Sequence, residues 1–355
     1  MSAAFEPEPA AAAVDRAGMW RHIAAFGGQL AREWRRTADL ELPLPRGRMP
    51  DHLVIAATGG SAAAGDIVAA LAAPVSEIPI TVVRGRELPN FVGERTLVAA
   101  VSCSGNTAET LALYDDAWRR DAPIIAITRG GRLAARCEDD GVPAWRFDYD
   151  APPRAAVALL LAPLLRIVER LGLYLVTTPD IERAAALCAG LAAAQLAAGS
   201  AAARAAGAIA GRVPLILAGG VLLPLADRAR NQLAENAKLL AASAALPEAA
   251  HNLVVGLDPD LAPASWTLLA LAAEDDPAAP YLEAVEELAA PRGIPFHRLP
   301  IPGSSPFERA LAALVTVDAL SWHAAIARGI DPTPIPEIES IRSRIARLSS
   351  AEIST

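Results

Sequence analysis

The side chains best suited to chemistry lie in the second half of the chain, on a helix predicted from Pro224 onward. Residues three and four positions apart share one helical face. This spacing aligns a polar stripe made of Arg228, Asn231, Glu235 and Lys238. Lys238 is the single lysine in a chain that has 32 lysines and arginines together. A solvated surface is the simplest interpretation of such a stripe.

His251 and Asn252 argue against that interpretation. They open a predicted apolar strand over 251–255, where they would face the same crevice as the stripe. A carboxylate and an imidazole in one crevice are suited to general acid–base chemistry, in which a positioned side chain takes or gives a proton. The sequence therefore predicts an acid–base site in the second half of the chain.

A loop rich in hydroxyl groups follows a predicted strand in the first half. It runs over 102–107, and its hydroxyl donors are Ser102, Ser104 and Thr107. Backbone N–H groups at the start of the next helix are unpaired and carry partial positive charge. Gly105 would let the chain approach a phosphate oxygen closely. The loop is a candidate phosphate site, although helix capping alone explains the same residues equally well.

A second loop with the same features ends the first predicted strand and reads Gly59-Gly60-Ser61. Ligands of open parallel sheets collect beyond the carboxyl ends of the strands, so the two loops together predict one phosphate cup. A Walker lysine and G-x-G-x-x-G spacing are both missing, which argues against nucleotide triphosphates and leaves a dinucleotide as a weak alternative. Ser104 lacks the glycine at position 102 that a nucleophile elbow requires. Cys103 is interpreted as a small buried filler.

The elements that must position these loops are short apolar strands alternating with amphipathic helices. This alternation is typical of parallel sheets covered by helices on both faces. Strands are predicted over 52–57, 78–83, 96–101, 124–128, 145–148, 214–218, 251–255, 267–272 and 296–299. Helices are predicted over 14–36, 61–71, 107–119, 154–171, 181–209, 224–245, 280–290 and 306–329.

Both halves open in the same way, with an apolar strand that runs into paired glycines at a helix start, over 54–60 and 215–220. The repeat predicts an α/β fold with two doubly wound parallel-sheet domains, each an αβα sandwich, in tandem. We expect a frayed acidic tail over 1–14. A first domain with an N-terminal helix would cover 15–175, and a second domain with C-terminal helices would cover 176–355.

Composition limits the partners of the chain. A net charge of −8 argues against a nucleic-acid partner, whereas a local pocket can still hold a small anion. The three cysteines are widely spaced and predict neither a disulfide framework nor a zinc site. The apolar run over 155–165 is too short to span a bilayer, and the first 14 residues do not read as a signal peptide. We expect a soluble cytoplasmic protein with no membrane partner.

In chain order, these motifs resemble those of the bifunctional phosphoglucose/phosphomannose isomerase family, whose members carry two sugar isomerase (SIS) domains. The resemblance covers nearly the whole chain from residue 40 onward. The motifs that carry it are Gly59-Gly60-Ser61-Ala62, Ser102-x-Ser104-Gly105-Asn106-Thr107-x-Glu109-Thr110, Pro153-Arg154, Gln232-x-x-Glu235-Asn236-Ala237-Lys238, Pro247-Glu248-Ala249-x-His251-Asn252 and 329–334. The hydroxyl-rich loop over 102–107, which we call the serine loop, is shared by many SIS proteins. The Glu-Asn-Ala-Lys motif followed by His-Asn is much more specific to this family.

The resemblance implies an aldose–ketose isomerase that interconverts fructose 6-phosphate with glucose 6-phosphate, mannose 6-phosphate or both through a cis-enediol. Glu235 would be the base, His251 would open the sugar ring, and Arg154 would stabilise the enediolate charge. The phosphate would bind to Gly60, Ser61, Ser102, Ser104 and Thr107. Supporting roles would fall to Asn106, Asn236, Lys238, Asn252 and Arg342.

The resemblance further implies that neither a metal nor an organic cofactor is needed. The substrate would be a small sugar phosphate. In the family the histidine comes from a neighbouring subunit, which implies a homodimer with the site near the subunit interface. Lys238 would support Glu235 from the same helical face and would not form a Schiff base.

This chain departs from the family pattern at four places that bear on substrate choice and rate. Thr58 replaces a methionine, Cys103 a large residue and Leu253 a glutamate. Only Arg342 or Arg344 can take the place of a lysine near the family's C-terminus. Arginine keeps the positive charge but does not give up a proton.

Two alternatives belong to other functional classes. A catalytically weak SIS protein could bind a sugar phosphate as a sensor or partner module, but the chain lacks the basic recognition segment of a DNA-binding regulator. Amino-sugar phosphate isomerisation or deamination is disfavoured by the Glu235-Asn236-Ala237-Lys238 motif. The sequence therefore favours the isomerase.

Overall fold

Two parallel sheets form the frame of the protein. The structure is a computed structural model that describes residues 5–44, 49–257 and 266–352. The first sheet has the strand order β2-β1-β3-β4-β5 and the second β7-β6-β8-β9. The strands are β1 (His52–Ala57), β2 (Ile80–Val83), β3 (Thr96–Ser102), β4 (Ile124–Thr128), β5 (Ala144–Arg146), β6 (Val213–Gly219), β7 (Ala242–Leu246), β8 (Trp266–Ala273) and β9 (Phe296–Ile301).

Helices cover both sheets, as the apolar strands require. The helices are α1 (Pro9–Val14), α2 (Met19–Arg36), α3 (Gly60–Ala72), α4 (Ala108–Arg119), α5 (Gly131–Asp140), α6 (Val157–Arg170), α7 (Thr178–Leu196), α8 (Ala201–Ala208), α9 (Leu223–Ala237), α10 (Ala279–Ala289), α11 (Pro306–Ala327) and α12 (Pro336–Glu352). Every strand pairing recorded in both sheets is parallel. The predicted α/β class with two doubly wound parallel sheets is confirmed.

One hydrophobic core joins the two sheets. Alternate residues of β1, such as Ile55, pack with α2, α3 and α6, and alternate residues of β6, such as Ile216, belong to the same cluster with α9 and α11. The opposite faces of the sheets pack against α4 and α5 in the first half and against α10 in the second. Helix α3 packs against α9 and α11 between the sheets, and α2 packs against α11, which brings elements from both halves together.

The second half departs from prediction in two places. The single helix predicted over 181–209 is two helices, α7 and α8, bent by 48° at the break between them. A helix was predicted over 224–245, but α9 ends at Ala237 and residues Ala242–Leu246 form β7, the edge strand of the second sheet. The strand predicted over 251–255 is also wrong, because two short 3₁₀ turns occupy that segment. The alanine-rich run Ala-Ser-Ala-Ala-Leu fits the helical pattern, and pairing with β6 overrides that local preference.

A frayed tail was expected over residues 1–14, but residues 5–14 are ordered and pack against the rest of the protein. Residues Pro9–Val14 form α1, and the ring of Phe5 packs edge-on against Trp20 and Trp322. Asp15 caps α2 at the backbone N–H of Met19 and also accepts the indole N–H of Trp322. These contacts attach the segment to α2 and α11, and they involve residues from opposite ends of the chain.

Helix α11 is long and apolar enough to cross a membrane, as the bent pair α7 and α8 would be if counted as one span. However, 83% of the most apolar window of α11 is buried inside the protein. Side chains of α7, α8 and α9 surround it in the shared core. Its apolar character is therefore explained by its place at the centre of the fold.

Candidate active site

The loop after β1 lies at the start of α3 and contacts both the serine loop and the turn that carries Arg154. Gly59 has a φ of 60°, a left-handed conformation that glycine adopts without strain. A Cβ atom at Gly60 would lie 3.0 Å from the Cα of Arg154, so a bare backbone is needed there. The hydroxyl of Ser61 accepts the backbone N–H of Cys103 at 3.2 Å and so ties the two loops together.

Hydrogen bonds within the serine loop hold it in a tight turn. The hydroxyls of Ser102 and Thr107 are hydrogen-bonded at 2.9 Å, and the backbone N–H of Gly105 donates to the Ser102 hydroxyl at 3.1 Å. Ser102 is buried, whereas Ser104 and Thr107 are partly exposed and within reach of a ligand. The two predicted loops thus lie side by side at the carboxyl edge of the first sheet.

A neighbouring loop supports the serine loop from behind. Asn106 accepts the backbone N–H of Arg132 at 3.1 Å, and its own backbone N–H donates to the Ser104 hydroxyl at 3.2 Å. Gly105 has a φ of 68°, and a Cβ atom there would lie 1.7 Å from the carbonyl oxygen of Gly130. Asn106 therefore holds the turn and does not extend into the cup.

Arg154 lies at the junction of the two halves, in a 3₁₀ turn before α6, and its side chain is buried. Its Nε donates to Oδ1 of Asn236 at 2.7 Å. Its Nη2 donates to the carbonyl oxygens of Pro332 at 2.7 Å and Thr333 at 2.9 Å. Burial lowers the pKa of Arg154, and the nearby Glu235 carboxylate opposes that shift.

The carboxylate of Glu235 is the group that Arg154 faces. Its Oε2 lies 3.5 Å from Nη1 of Arg154, the one guanidinium nitrogen that carries no hydrogen bond to the described residues. The Glu235 side chain is 25% exposed and that of Arg154 is 3% exposed. A buried cation thus lies beside a carboxylate that remains accessible to a ligand.

Lys238 ends α9 and adopts a left-handed conformation with a φ of 51°. Its ammonium group donates to the backbone carbonyls of Glu235 at 2.6 Å and of Pro334 at 2.7 Å. Burial, followed by the charge of Arg154, lowers the pKa of Lys238. The predicted support for Glu235 thus involves its backbone carbonyl and a second segment of the chain.

We call residues 331–334 the C-terminal strap. Arg154 and Lys238 together bind the carbonyls of Pro332, Thr333 and Pro334, so two cations hold three consecutive residues across the end of α9. The sequence motif over 329–334 gave no indication of this contact. The strap leads directly into α12.

His251 and Asn252 do not open a strand, and both are exposed. Asn252 donates to the carboxylate of Glu248 at 2.6 Å and accepts the N–H of Leu253 at 2.6 Å. Within the described part of the chain, no hydrogen bond joins the imidazole of His251 to the other candidate residues. Arg342 is likewise exposed, on α12. One chain therefore brings together the two loops, Arg154 and Glu235, but not His251.

Comparison with known proteins places this arrangement in a family. A bifunctional phosphoglucose/phosphomannose isomerase of Thermoplasma acidophilum is 30% identical over 295 residues, which cover 83% of this chain and 90% of that protein. The chain belongs to the bifunctional phosphoglucose/phosphomannose isomerase family. The same enzyme name is carried by a Caldicellulosiruptor bescii protein that is 39% identical over 141 residues, 40% of this chain and 42% of that protein.

The family model for the bacterial phospho-glucose isomerase C-terminal SIS domain matches residues 199–345. A solved structure, that of a hypothetical protein from Thermus thermophilus, superposes with a TM-score of 0.69 at 18% identity. The superposition covers 96% of this chain and 95% of that one, which supports the two-sheet fold over nearly the full length.

Two buried threonine hydroxyls beside the bifunctional-isomerase motifs, those of Thr58 and Thr333, have no hydrogen-bond partner among the residues that the structure describes. Thr58 precedes the first loop, and Thr333 belongs to the strap.

Among the described residues, no group of three His, Cys, Asp or Glu side chains could hold a metal ion.

Sequence reasoning missed two polar residues on α11, Asp318 and Ser321, which lie behind the site. The available signal was a charged residue inside a helix whose neighbours are almost all apolar, because a buried carboxylate requires partners. The sequence analysis predicts a helix over 306–329 but assigns no role to these two residues.

Proposed function

We propose that this protein interconverts fructose 6-phosphate with glucose 6-phosphate, mannose 6-phosphate or both. The observation that carries the proposal is the Glu235 carboxylate, partly exposed and 3.5 Å from the buried guanidinium of Arg154. The Arg154 backbone in turn lies against Gly60 of the first loop. A base, a cation and a set of hydroxyl and N–H donors are thus adjacent, as a sugar phosphate requires. Family membership supports the same chemistry.

In this proposal the phosphate binds at the two loops, where Ser104 and Thr107 remain accessible. Glu235 removes a proton from the first carbon of fructose 6-phosphate, and the hydroxyl proton on that carbon moves to the former carbonyl oxygen through the cis-enediol. Glu235 then returns its proton to the second carbon, which completes the aldose. Arg154 stabilises the negative charge that develops on the oxygens of the intermediate. Each acid–base contribution of this kind is typically worth about 10²- to 10⁴-fold in rate. The step needs neither a metal nor an organic cofactor.

We infer that His251 completes the site of a second subunit. It is exposed, and among the described residues no hydrogen bond joins it to Glu235 of its own chain, although opening the sugar ring needs a group that gives and takes a proton beside the sugar. Large apolar side chains near it in sequence and on α12 are also exposed: Val255 by 83%, Leu240 by 74% and Ile341 by 59%. A subunit interface over these residues would remove their apolar surface from water. We therefore propose a homodimer, and the expected cytoplasmic location remains a prediction.

The test of the activity uses purified protein and fructose 6-phosphate in buffer that contains a chelator. We expect aldose phosphate to form in a coupled assay, and the isosteric Glu235→Gln variant to lose at least about 10²-fold in kcat because it lacks the base. Binding of fructose 6-phosphate without turnover in both proteins would instead support the sensor alternative.

A mixed-subunit experiment tests the origin of the histidine. Glu235→Gln and His251→Ala homodimers should each be inactive. After co-expression, a mixed dimer would contain one site with both native groups, so activity should return to about a quarter of wild type under random pairing. Recovery would not occur if each chain supplied its own histidine.

A further inference from the structure

A buried ion pair lies behind the proposed site, at the contact between α9 and α11. Nε of Arg228 donates to Oδ1 of Asp318 at 2.9 Å, and Nη2 donates to Oδ2 at 2.6 Å. Arg228 is 4% exposed and Asp318 is 6% exposed. Two parallel N–H···O bonds fix the plane of the guanidinium as well as its position.

The same guanidinium reaches the backbone of Arg154. Nη2 of Arg228 also donates to the Arg154 carbonyl oxygen at 3.0 Å. Asp318 thus fixes Arg228, and Arg228 fixes the main chain from which the Arg154 side chain extends. Gln232 adds a donor to Oδ1 of Asp318 at 3.0 Å, so the carboxylate has three hydrogen bonds from side chains.

A second path from α11 reaches the side chain of Arg154. Ser321 accepts from Nδ2 of Asn236 at 2.9 Å and donates to the backbone carbonyl of Asp318 at 2.7 Å. The amide oxygen Oδ1 of Asn236 accepts a hydrogen bond from Nε of Arg154. This arrangement orients the amide so that its oxygen, and not its nitrogen, faces the guanidinium.

We propose that Asp318 and Arg228 are positioning residues that set the geometry of Arg154 against Glu235. The inference rests on the proposed function, because it assigns the pair a role in that reaction. Neither residue touches the substrate. The pair acts by holding the backbone carbonyl of Arg154, while Asn236 and Ser321 hold the guanidinium.

A purely structural role makes a different prediction. A buried ion pair contributes little net stability compared with apolar residues of similar volume, whereas removal of one partner leaves an uncompensated charge. If the pair served only packing, a neutral double variant would restore both stability and activity. If the pair positions Arg154, the double variant would restore stability alone.

The experiment compares Asp318→Asn, the double variant Arg228→Met with Asp318→Leu, and a matched control, Asp227→Asn. Asp227 lies on α9 beside Arg228 and pairs with Arg230 at 3.1 Å, but its side chain is 48% exposed and that of Arg230 is 40% exposed. Melting temperature, kcat and KM are measured for fructose 6-phosphate with each protein.

We expect Asp318→Asn to melt lower than wild type and the double variant to melt at or above Asp318→Asn. Both should lose about 10- to 100-fold in kcat, because small displacements of a catalytic group are costly in rate. KM should change less than about threefold, since the phosphate loops are untouched. Asp227→Asn should match wild type in all three measurements.

A folded double variant with wild-type kcat would overturn the proposal while leaving the proposed function intact. A wild-type protein with no turnover would overturn both, and that result is visible before any variant is compared. A loss confined to KM would also contradict the proposal, because it would place the pair in substrate binding.

Discussion

At the scale of single residues, Arg154 is the side chain that connects the two halves of the chain at the proposed site. All three of its recorded hydrogen-bond acceptors lie in the second half of the chain, although the residue itself belongs to the first. Nη1 then faces Glu235 without a hydrogen bond of its own to the described residues. The guanidinium therefore links the halves and also presents a cation to the proposed intermediate.

The substitution Arg154→Lys keeps the charge and removes the planar fork. Because an ammonium cannot satisfy Asn236, two strap carbonyls and the substrate in the same geometry, we expect kcat to fall by about 10²-fold or more. The measurement is steady-state kinetics with fructose 6-phosphate, beside circular dichroism to confirm folding. Activity within twofold of wild type would show that Arg154 acts as a simple point charge.

The sequence predicts the candidate site residues, and these stay a prediction, but it did not predict their hydrogen-bond partners. The motifs containing Arg154 and Glu235 are short and local, and motif order alone brought them to attention. The contacts of Asp318 and Ser321 with α9 depend on how two distant helices pack, which no local pattern encodes. The exposure of His251 was missed because the strand predicted over 251–255 is wrong.

At the scale of elements, the C-terminal strap links α9 to α12. Three of its four backbone carbonyls are held by Arg154 and Lys238. Loss of the Lys238 cation would loosen the strap, and the Pro332 and Thr333 carbonyls of the strap are two of the groups that fix the Arg154 guanidinium.

Lys238→Met tests that role of the strap. The variant removes two hydrogen bonds donated by a charged group, so we expect the free energy of unfolding to fall by about 1.5–3 kcal/mol. Cleavage by a protease within the strap should become faster than in wild type, and kcat should fall by about tenfold. An unchanged cleavage rate would contradict the strap model.

The serine loop depends on a glycine. Gly105→Ala would force a left-handed residue and place a methyl group on the Gly130 carbonyl, so we expect a loss of about 2 kcal/mol or more in stability and a raised KM. Gly190→Ala is the matched control, because it lies within α7 and a Cβ there meets no atom within 4 Å. The control should be stabilised by about 1 kcal/mol. Equal urea midpoints for the two variants would refute this account of the loop.

The element predictions succeeded where periodicity was strong and failed where composition was ambiguous. Strand β1 was predicted at its observed limits, because five apolar residues after His52 lead through Thr58 into paired glycines. Strand β7 was missed, because alanine and serine carry little strand preference and only pairing with β6 makes the segment extended.

At the scale of the whole molecule, three buried thiols link stability to pH. Burial raises the pKa of Cys103 and Cys137 from 9.0 to about 11, and that of Cys188 to about 12. Above pH 9 the thiols of the unfolded chain ionise first, so the unfolded state binds fewer protons and is stabilised relative to the folded state.

We therefore expect the free energy of unfolding to be maintained below pH 9 and to fall as the pH rises from 9 toward 11. The loss should be roughly 1 kcal/mol per thiol at pH 10. Urea denaturation at pH 8 and pH 10 measures it, and a variant with alanine at all three positions should lose less. A wild-type midpoint that is equal at the two pH values would contradict this linkage.

The most direct test of the central claim follows hydrogen exchange between solvent and substrate. Fructose 6-phosphate is incubated with the protein in deuterium oxide, and deuterium at its first carbon is measured by mass spectrometry or NMR. Proton removal by Glu235 predicts deuterium uptake with the wild-type protein and loss of that uptake, by at least about 10²-fold, with Glu235→Gln. Equal uptake by the two proteins would show that another group is the base.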